Sequence, residues 1–313
     1  MGKMRLVREA LGTTEGFCIV KSAAARTDVK GSDYLDLVIA DSEGECVAKL
    51  WNYNRVLHGD YAANDLVKVR GAVQVWKDTE QFKIDRIRHI TDADDVDLQT
   101  IIPCAPYPPQ AMYDELYALA AKFQDEDLRR LVQYLMRENK DRLLLYPAGV
   151  KLHHATRGGL LHHTVSVVHL AQSIAALYPN LNADLLLTGA ILHDIGKLDE
   201  LDAGTLGLAG QYTAEGQLLG HISMGMAMVS AAAEVTMLPH QKAMLVEHML
   251  LSHHGQPEFG SPRLPMFPEA EVLSVCDLLD SKLFEMDAAL DGVAPGGFSE
   301  RQWALDNRQL YKI

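Results

Sequence analysis

The decisive stretch of this sequence is Ala190-Ile191-Leu192-His193-Asp194-Ile195-Gly196-Lys197. An apolar helical run ends here at an adjacent histidine and aspartate, two polar side chains that a hydrophobic core does not favour. The imidazole offers one directional nitrogen, and the carboxylate has two oxygens, enough to bridge a pair of cations. The His193-Asp194 dipeptide therefore indicates a metal site.

Other residues of metal-ligand type flank this dipeptide in chain order. His163 precedes it, and His221, the pair His253-His254 and Asp277 follow it. A lone histidine on an apolar helix is usually a satisfied core residue, but the company of the other residues favours metal ligation. Adjacent residues point about 100° apart on a helix. Either one histidine of the pair binds metal while the other contacts phosphate, or the helix ends there, at Gly255.

The order and spacing of these residues resemble those of the HD-domain metal-dependent phosphohydrolases. The segments that carry the resemblance are GGLLHHT at 158–164, HDIGK at 193–197, GHI at 220–222, LSHHG at 251–255 and DLLD at 277–280. Within that superfamily the Gly-Gly-Leu-Leu-x-His-Thr opening and a separate N-terminal domain resemble the YhaM-type 3′–5′ exoribonucleases. The resemblance covers nearly the whole chain.

The resemblance implies a site for two divalent metal ions. Its ligands would be Asp194 as the bridge, His163, His193 and Asp277 in the first site, and His221 with the His253-His254 pair in the second. If the second set holds no metal, His221 and His254 become phosphate ligands instead. Imidazole combined with carboxylate suits manganese, iron, cobalt or nickel, and the resemblance favours manganese.

Two cationic residues near these segments are candidate phosphate ligands. Lys197 follows His193 by four residues, so on a helix its ammonium would lie on the same face as the metals; the alternative is a lysine that interacts with the helix dipole. Arg157 directly precedes Gly158-Gly159, where the chain can approach a phosphate closely. The same glycines are equally suited to start the helix.

Residues 1–90 alternate in the manner of β-strands, with runs at 16–21, 34–40, 46–51, 66–76 and 81–87. Five short strands separated by turn residues resemble an OB-fold barrel. Such a barrel binds single-stranded nucleic acid by stacking bases on aromatic rings beside cationic side chains. The candidate contacts are Tyr34, Trp51, Trp76 and Phe82 for bases, and Lys49, Arg70 and Lys83 for phosphates. Trp51 and Phe82 are equally suited to the barrel core, because alternation alone does not say which face is outside.

Residues 91–110 are acidic and then rich in proline, which indicates a linker between domains. From residue 111 to 313 the apolar residues recur at helical spacing. We therefore predict a multidomain β + α chain, in which an N-terminal OB-fold β-barrel is followed by an all-helical HD domain.

Composition restricts the functional classes. The net charge is −13, yet residues 1–90 hold 14 Lys and Arg against 13 Asp and Glu, whereas the rest hold 15 against 29. Any binding of nucleic acid must therefore depend on local contacts rather than on the electrostatic field of the whole protein. Four scattered cysteines without a CxxC pair suit a reduced, cytoplasmic protein. There is no continuous run of about 18 apolar residues, so we expect no membrane span.

The leading interpretation is a metal-dependent 3′–5′ exonuclease that hydrolyses single-stranded RNA stepwise from the 3′ end; whether it also accepts single-stranded DNA is left open by the sequence. The alternative within the same superfamily is a phosphohydrolase of nucleotides or cyclic (di)nucleotides, since fold does not settle substrate. A non-enzymatic OB-type binder is disfavoured by the complete ligand set. A homo-oligomer is compatible with the Met- and Ala-rich stretch 224–233.

Overall fold

A computed structural model describes residues 4–8, 12–76, 79–91, 93–150, 154–257 and 260–313. Contacts divide the chain into two compact units, Met1–Cys104 and Ala105–Ile313. The division falls inside segment 91–110, which the sequence predicts to be a linker. Each unit has its own hydrophobic core.

The first unit is a closed five-stranded barrel. Its strands are β1 (Thr13–Thr27), β2 (Asp33–Ala40), β3 (Glu45–Trp51), β4 (Leu66–Trp76) and β5 (Thr79–His89), with the short helices α1 (Arg5–Arg8) and α2 (Arg55–His58). The strand order is β1-β2-β3-β5-β4, and pairing of β1 with β4 closes the barrel. All pairs are antiparallel except β3 with β5. This arrangement confirms the predicted OB-fold.

Strand pairing decides which barrel residues point inward. Phe82 on β5 pairs with Ala48 on β3, and both are fully buried (0% exposed). Their neighbours Lys83 and Lys49 pair with each other and therefore point outward. The prediction that Phe82 contacts nucleic acid is wrong, because its ring fills the barrel core.

The second unit is helical, as predicted. Its helices are α3 (Pro109–Ala120), α4 (Glu126–Glu138), α5 (Lys140–Leu143), α6 (Gly159–Leu177), α7 (Ala183–Leu192), α8 (Lys197–Glu200), α9 (Ala214–Thr236), α10 (His240–Ser252) and α11 (Pro268–Leu290). One small addition is an antiparallel pair of two-residue strands, β6 (Leu201–Asp202) and β7 (Gln211–Tyr212).

Helix α7 lies at the centre of the helical unit. Every residue from Leu185 to Leu192 is buried, and the helix packs against α4, α6, α10 and α11. A helix that is apolar on all sides is one that is surrounded by others. The chain therefore delivers His193 and Asp194, which follow α7 directly, into the middle of the domain.

Helices α6 and α9 are long and apolar enough to cross a membrane by length and composition alone. The core helices of a globular domain meet the same criteria. Here α6 contributes nine residues to the buried interior, His163 among them. The small and apolar residues Gly225, Val229, Ala232 and Ala233 of α9 are buried in the same unit.

Candidate metal centre

Five segments of the helical unit bring the predicted ligands together. His163 comes from α6, His193 and Asp194 from the end of α7, His221 from α9, His253 and His254 from the end of α10, and Asp277 from α11. The burial is deep: His163, His193 and His253 are 0% exposed and Asp194 only 2%. A buried set of imidazoles and carboxylates is costly unless its polar atoms are satisfied.

The first group of ligands converges on one oxygen of Asp194. His163 Nε2 lies 3.1 Å from both His193 Nε2 and Asp277 Oδ1, and both histidine nitrogens lie 3.5 Å from Asp194 Oδ2. Two atoms that each lie about 2.1 Å from one cation are about 3.0 to 4.2 Å apart, depending on the angle between the two bonds. The spacing of this group therefore fits a shared metal ion.

The second group faces the other oxygen of Asp194. His221 Nε2 lies 3.6 Å and His253 Nε2 3.7 Å from Asp194 Oδ1. These three atoms are buried and have no hydrogen-bond partner among the described residues. Leaving a buried polar atom unsatisfied costs about 1–3 kcal/mol, and one cation would satisfy all three. The residues present therefore fit a second metal.

Both members of the His253-His254 pair reach the second group. Ligand atoms of His221, His253 and His254 lie within 4.8 Å of one another. Helix α10 ends at Ser252, and Gly255 has φ 77°, so the pair lies where the helix terminates. The Ser261 hydroxyl accepts a 3.0 Å hydrogen bond from the His254 backbone N–H. Of the two sequence alternatives, the structure shows the helix end.

Comparison with known proteins agrees with this geometry. A family model described as HD domain matches residues 160–282. The 3′–5′ exoribonuclease YhaM of Bacillus subtilis (strain 168) is 36% identical over 312 residues, covering 100% of this chain and 98% of that protein. The protein of the same name from Listeria monocytogenes serotype 4b (strain F2365) is 38% identical, covering 99% and 98%. The chain belongs to the YhaM family. The family membership predicted from the sequence is confirmed.

Lys197 of this YhaM-family chain is part of the cluster. Its Nζ lies 2.6 Å from Asp194 Oδ2, the oxygen that faces the first group. Burial lowers the pKa of Lys197, but the Asp194 carboxylate raises it by more, so the net shift is upward. The ammonium thus stays charged inside the centre, although Lys197 begins α8 rather than continuing α7. Its contact with phosphate stays a prediction.

Asp194, His193 and His253 have the charge states that metal binding requires. Burial raises the pKa of Asp194, but Lys197 and the surrounding histidines lower it by more, so the carboxyl is ionised. Burial lowers the pKa of both His193 and His253, which keeps these imidazoles neutral. His163 differs. Burial also lowers its pKa, but its hydrogen bonds to Asp277 and Asp280 raise the pKa to about 9, so without a cation this imidazole is protonated and must release a proton to bind one. Ionised carboxylates and neutral imidazoles are the forms that coordinate a cation.

Three residues of the YhaM-family centre have no role in the sequence prediction. Asp280 Oδ2 accepts hydrogen bonds from His163 Nδ1 at 2.7 Å and His154 Nε2 at 3.0 Å. Glu200 Oε1 lies 3.1 Å from His221 Nδ1. The position of Asp280, three residues after Asp277 on one helix face, is a signal that could have found it. Nothing in the local sequence links Glu200 or His154 to the centre.

Arg157 is held by a backbone contact. Its Nη1 donates to the Leu206 carbonyl oxygen at 2.9 Å, within the loop that joins β6 and β7. Gly158 has φ 72° and precedes α6, so the glycine pair does start the helix. The phosphate-binding role of Arg157 stays a prediction.

The barrel carries an aromatic pair on its outer surface. Tyr34 and Trp51 face each other across β2 and β3, with ring centroids 4.9 Å apart. Lys49 Nζ lies 4.9 Å from the Tyr34 ring and 5.7 Å from the Trp51 ring, and Trp51 is 40% exposed. We call Tyr34, Lys49 and Trp51 the aromatic platform.

The other predicted barrel contacts differ in position. Lys83 pairs with Lys49 and so extends the cationic surface next to the platform. Arg70 lies in a different row, paired with Glu15 on β1 and Arg86 on β5. The side chain of Trp76 lies outside the described residues. The structure thus groups Tyr34, Lys49, Trp51 and Lys83, and it does not bring Arg70 to them.

Proposed function

We propose that this chain is a divalent-metal-dependent 3′–5′ exoribonuclease that degrades single-stranded RNA. The observation that carries the proposal is the arrangement around Asp194, whose two oxygens face two separate groups of buried ligands. The direction of degradation and the RNA substrate are supported by the printed names of the relatives. Single-stranded DNA is a second substrate of the same chemistry.

The ligand groups have separate roles in this proposal. The first metal would be held by His163, His193, Asp194 and Asp277, and the second by Asp194, His221, His253 and His254. Divalent cations in a pair of this kind supply a nucleophile near neutral pH and neutralise charge on the phosphoryl oxygens. Lys197 adds a fixed positive charge beside Asp194, directed at a non-bridging phosphate oxygen.

The composition of the ligand set supports a transition metal. Five imidazoles and two carboxylates converge on the centre. An all-oxygen set would favour magnesium or calcium, whereas mixed nitrogen and oxygen ligands suit manganese, iron, cobalt or nickel. We propose manganese as the working metal.

The aromatic platform supports a single-stranded substrate. A base stacks on an exposed aromatic ring regardless of its identity, and a neighbouring lysine meets the phosphate. Trp51 offers the exposed ring, while Lys49 and Lys83 offer the charge. Because the overall charge of −13 opposes a polyanion, such local contacts are what the proposal requires.

The first experiment follows a 5′-labelled RNA of about 20 nucleotides, longer than the roughly 4–16 nucleotides that one OB fold covers. Protein is incubated with Mn²⁺ or with EDTA, and the products are separated on a denaturing gel. Wild-type protein should give a descending ladder only with Mn²⁺. Asp194→Asn should abolish the ladder, whereas Asp287→Asn, an exposed acid on α11, should leave it unchanged.

Other outcomes of this experiment contradict the proposal. Intact RNA with the wild-type protein and Mn²⁺, together with hydrolysis of nucleotides or cyclic dinucleotides, would indicate the small-nucleotide phosphohydrolase. Immediate release of the labelled 5′ nucleotide would show the opposite polarity. A ladder that persists in EDTA or in Asp194→Asn would argue against the metal centre.

The platform is tested with Trp51→Ala. Stacking of one base is worth about 1–3 kcal/mol, so the KM for the RNA should rise about 5- to 150-fold, while turnover of a dinucleotide stays unchanged. Val56→Ala, an exposed apolar residue of the same barrel (92% exposed), is the control. Equal KM values for Trp51→Ala and wild type would show that the platform does not hold substrate.

A further inference from the structure

In four ligand histidines, His163, His193, His221 and His253, the Nδ1 side shows how the ring is held. His193 Nδ1 donates to the Ala190 carbonyl oxygen at 3.0 Å, and His253 Nδ1 donates to the Leu250 carbonyl oxygen at 2.6 Å. Both partners lie three residues earlier on the same helix. A carbonyl only accepts, so Nδ1 carries the hydrogen and Nε2 presents its lone pair to the metal.

The other two rings are held differently. His163 Nδ1 donates to Asp280 at 2.7 Å, and His221 Nδ1 donates to Glu200 at 3.1 Å. Both carboxylates come from elements other than the one that carries the histidine. Among these four rings, each ligand group thus has one that is held by a carboxylate and one that is held by a carbonyl of its own helix.

Asp280 is itself fixed in place. It lies on α11 three residues after the ligand Asp277, so one helix face supplies both. The same oxygen, Oδ2, also accepts from His154 Nε2 at 3.0 Å. The Asp280 side chain is only 14% exposed and that of His154 is 2% exposed. The carboxylate therefore has little freedom to move away from His163.

Glu200 holds both the backbone and the ring of His221. Helix α9 is interrupted at Gly220, which has φ 71° and ψ 157°. Directly after this kink, Glu200 Oε1 accepts a hydrogen bond from the His221 backbone N–H at 3.0 Å. The same oxygen accepts from His221 Nδ1. One carboxylate therefore caps the second half of α9 and orients its metal ligand.

We infer that Asp280 and Glu200 are positioning residues that act separately, Asp280 on the first metal through His163 and Glu200 on the second through His221. A carboxylate on Nδ1–H fixes the tautomer and raises the basicity of the coordinating nitrogen, and loss of such a partner typically weakens metal affinity about 10- to 100-fold. The inference rests on the proposed metal centre. It adds which of the two carboxylates sets the affinity for which metal ion.

The test measures metal binding without catalysis. Full-length protein is stripped with chelator and titrated with Mn²⁺ by calorimetry, as wild type and as Asp280→Asn and Glu200→Gln. Wild type should bind two ions. Each variant should keep one ion at wild-type affinity and bind the other about 10- to 100-fold more weakly. Asp199→Asn on α8 and Asp287→Asn on α11 are matched controls that should bind both ions normally.

A second step assigns each residue to its ion. In an Asp277→Asn background, which removes a ligand of the first group, Asp280→Asn should have little further effect on Mn²⁺ binding. Glu200→Gln in the same background should weaken the remaining ion. Non-additivity of this kind is expected only for residues that act on one site.

The outcomes separate this inference from the metal centre itself. Wild-type protein that binds no Mn²⁺ would overturn both. Two ions bound at wild-type affinity by Asp280→Asn and Glu200→Gln overturn the inference alone, including when the variants melt at lower temperature, because the residues would then act on stability only. Each variant tests the inference at a different ligand group, so the inference stays testable if one of the variants does not fold.

Discussion

The α-carbon of Gly196 packs directly on the backbone of His221. A β-carbon at position 196 would lie 2.0 Å from the His221 carbonyl oxygen and 2.6 Å from the Gly225 amide nitrogen. No side chain other than hydrogen fits such a contact unless one helix moves. The glycine of the HDIGK segment therefore allows α9 to approach closely enough for His221 to face Asp194.

Gly196→Ala should move α9 outward and with it His221. We expect the loss of one bound Mn²⁺, the loss of most RNA degradation, and a decrease of about 1–3 kcal/mol in the free energy of unfolding, as is usual for overpacking. Metal titration and urea unfolding measure these effects. Gly210→Ala is the control, because a β-carbon there would meet no atom within 4 Å. Two bound ions in Gly196→Ala would show that α9 tolerates the contact.

Removal of metal should lower the melting temperature. The proposed centre would bind cations only in the folded state, so Mn²⁺ at about 100 times its Kd should add about 2.7 kcal/mol of stability for each bound ion. For a unit of this size each ion corresponds to a shift of about 5 to 10 °C. Differential scanning fluorimetry with Mn²⁺ and with EDTA measures it. Asp194→Asn should show a much smaller shift, and an equal shift in both proteins would place the stabilising ion elsewhere.

Much of this centre is predictable from the sequence, because the residue types that bind metal occur in it at a recognisable order and spacing. His163, His193, Asp194, His221 and Asp277 all meet as their order predicts. Asp280 is indicated only by its place one helical turn after Asp277, and nothing in the local sequence indicates Glu200. Whether a carboxylate meets a metal or the far side of a ligand histidine depends on tertiary packing, and many acids of a charged chain look alike.

Prediction from the sequence has a similar limit in the barrel. Strand alternation predicts five strands, but a period of two leaves open which set of side chains faces inward. Pairing of Phe82 with Ala48 settles this by placing both in the core. The same pairing puts Lys49 and Lys83 outside. Closure of the barrel, which local sequence does not show, thus decides between an aromatic that packs and one that stacks on a base.

Lys197→Gln should reduce turnover more than it reduces metal binding. The variant removes a buried positive charge 2.6 Å from Asp194 while keeping a hydrogen-bond donor of similar length. Loss of one electrostatic contact to the reacting group typically lowers kcat about 10²- to 10³-fold. Steady-state kinetics on the RNA and Mn²⁺ titration are compared. If two ions no longer bind, Lys197 instead supports the ligand Asp194.

A final prediction concerns Asp125 and Lys242, which join α4 to α10 away from the proposed ligands. Asp125 caps α4 by accepting from the N–H groups of Asp127 and Leu128. Lys242 Nζ lies 2.7 Å from both Asp125 and Asp127. Asp125→Ala should cost about 1 kcal/mol for the cap and up to about 1 kcal/mol more for the partly exposed ion pair. Asp125→Asn keeps a good capping residue and should lose only the second contribution.

The stability that this contact contributes should decrease as the pH falls. Burial raises the pKa of Asp125, but the hydrogen bonds from Lys242 and from the helix N–H groups lower it by more, so the folded-state pKa lies below the unfolded value of 3.8. The stabilisation by the charged form is therefore complete well above that value and is lost as the pH falls through the folded-state pKa. Urea unfolding of wild type and Asp125→Asn should differ at neutral pH and converge in acid. A difference that does not depend on pH would mean that the Asp125 charge contributes nothing to stability.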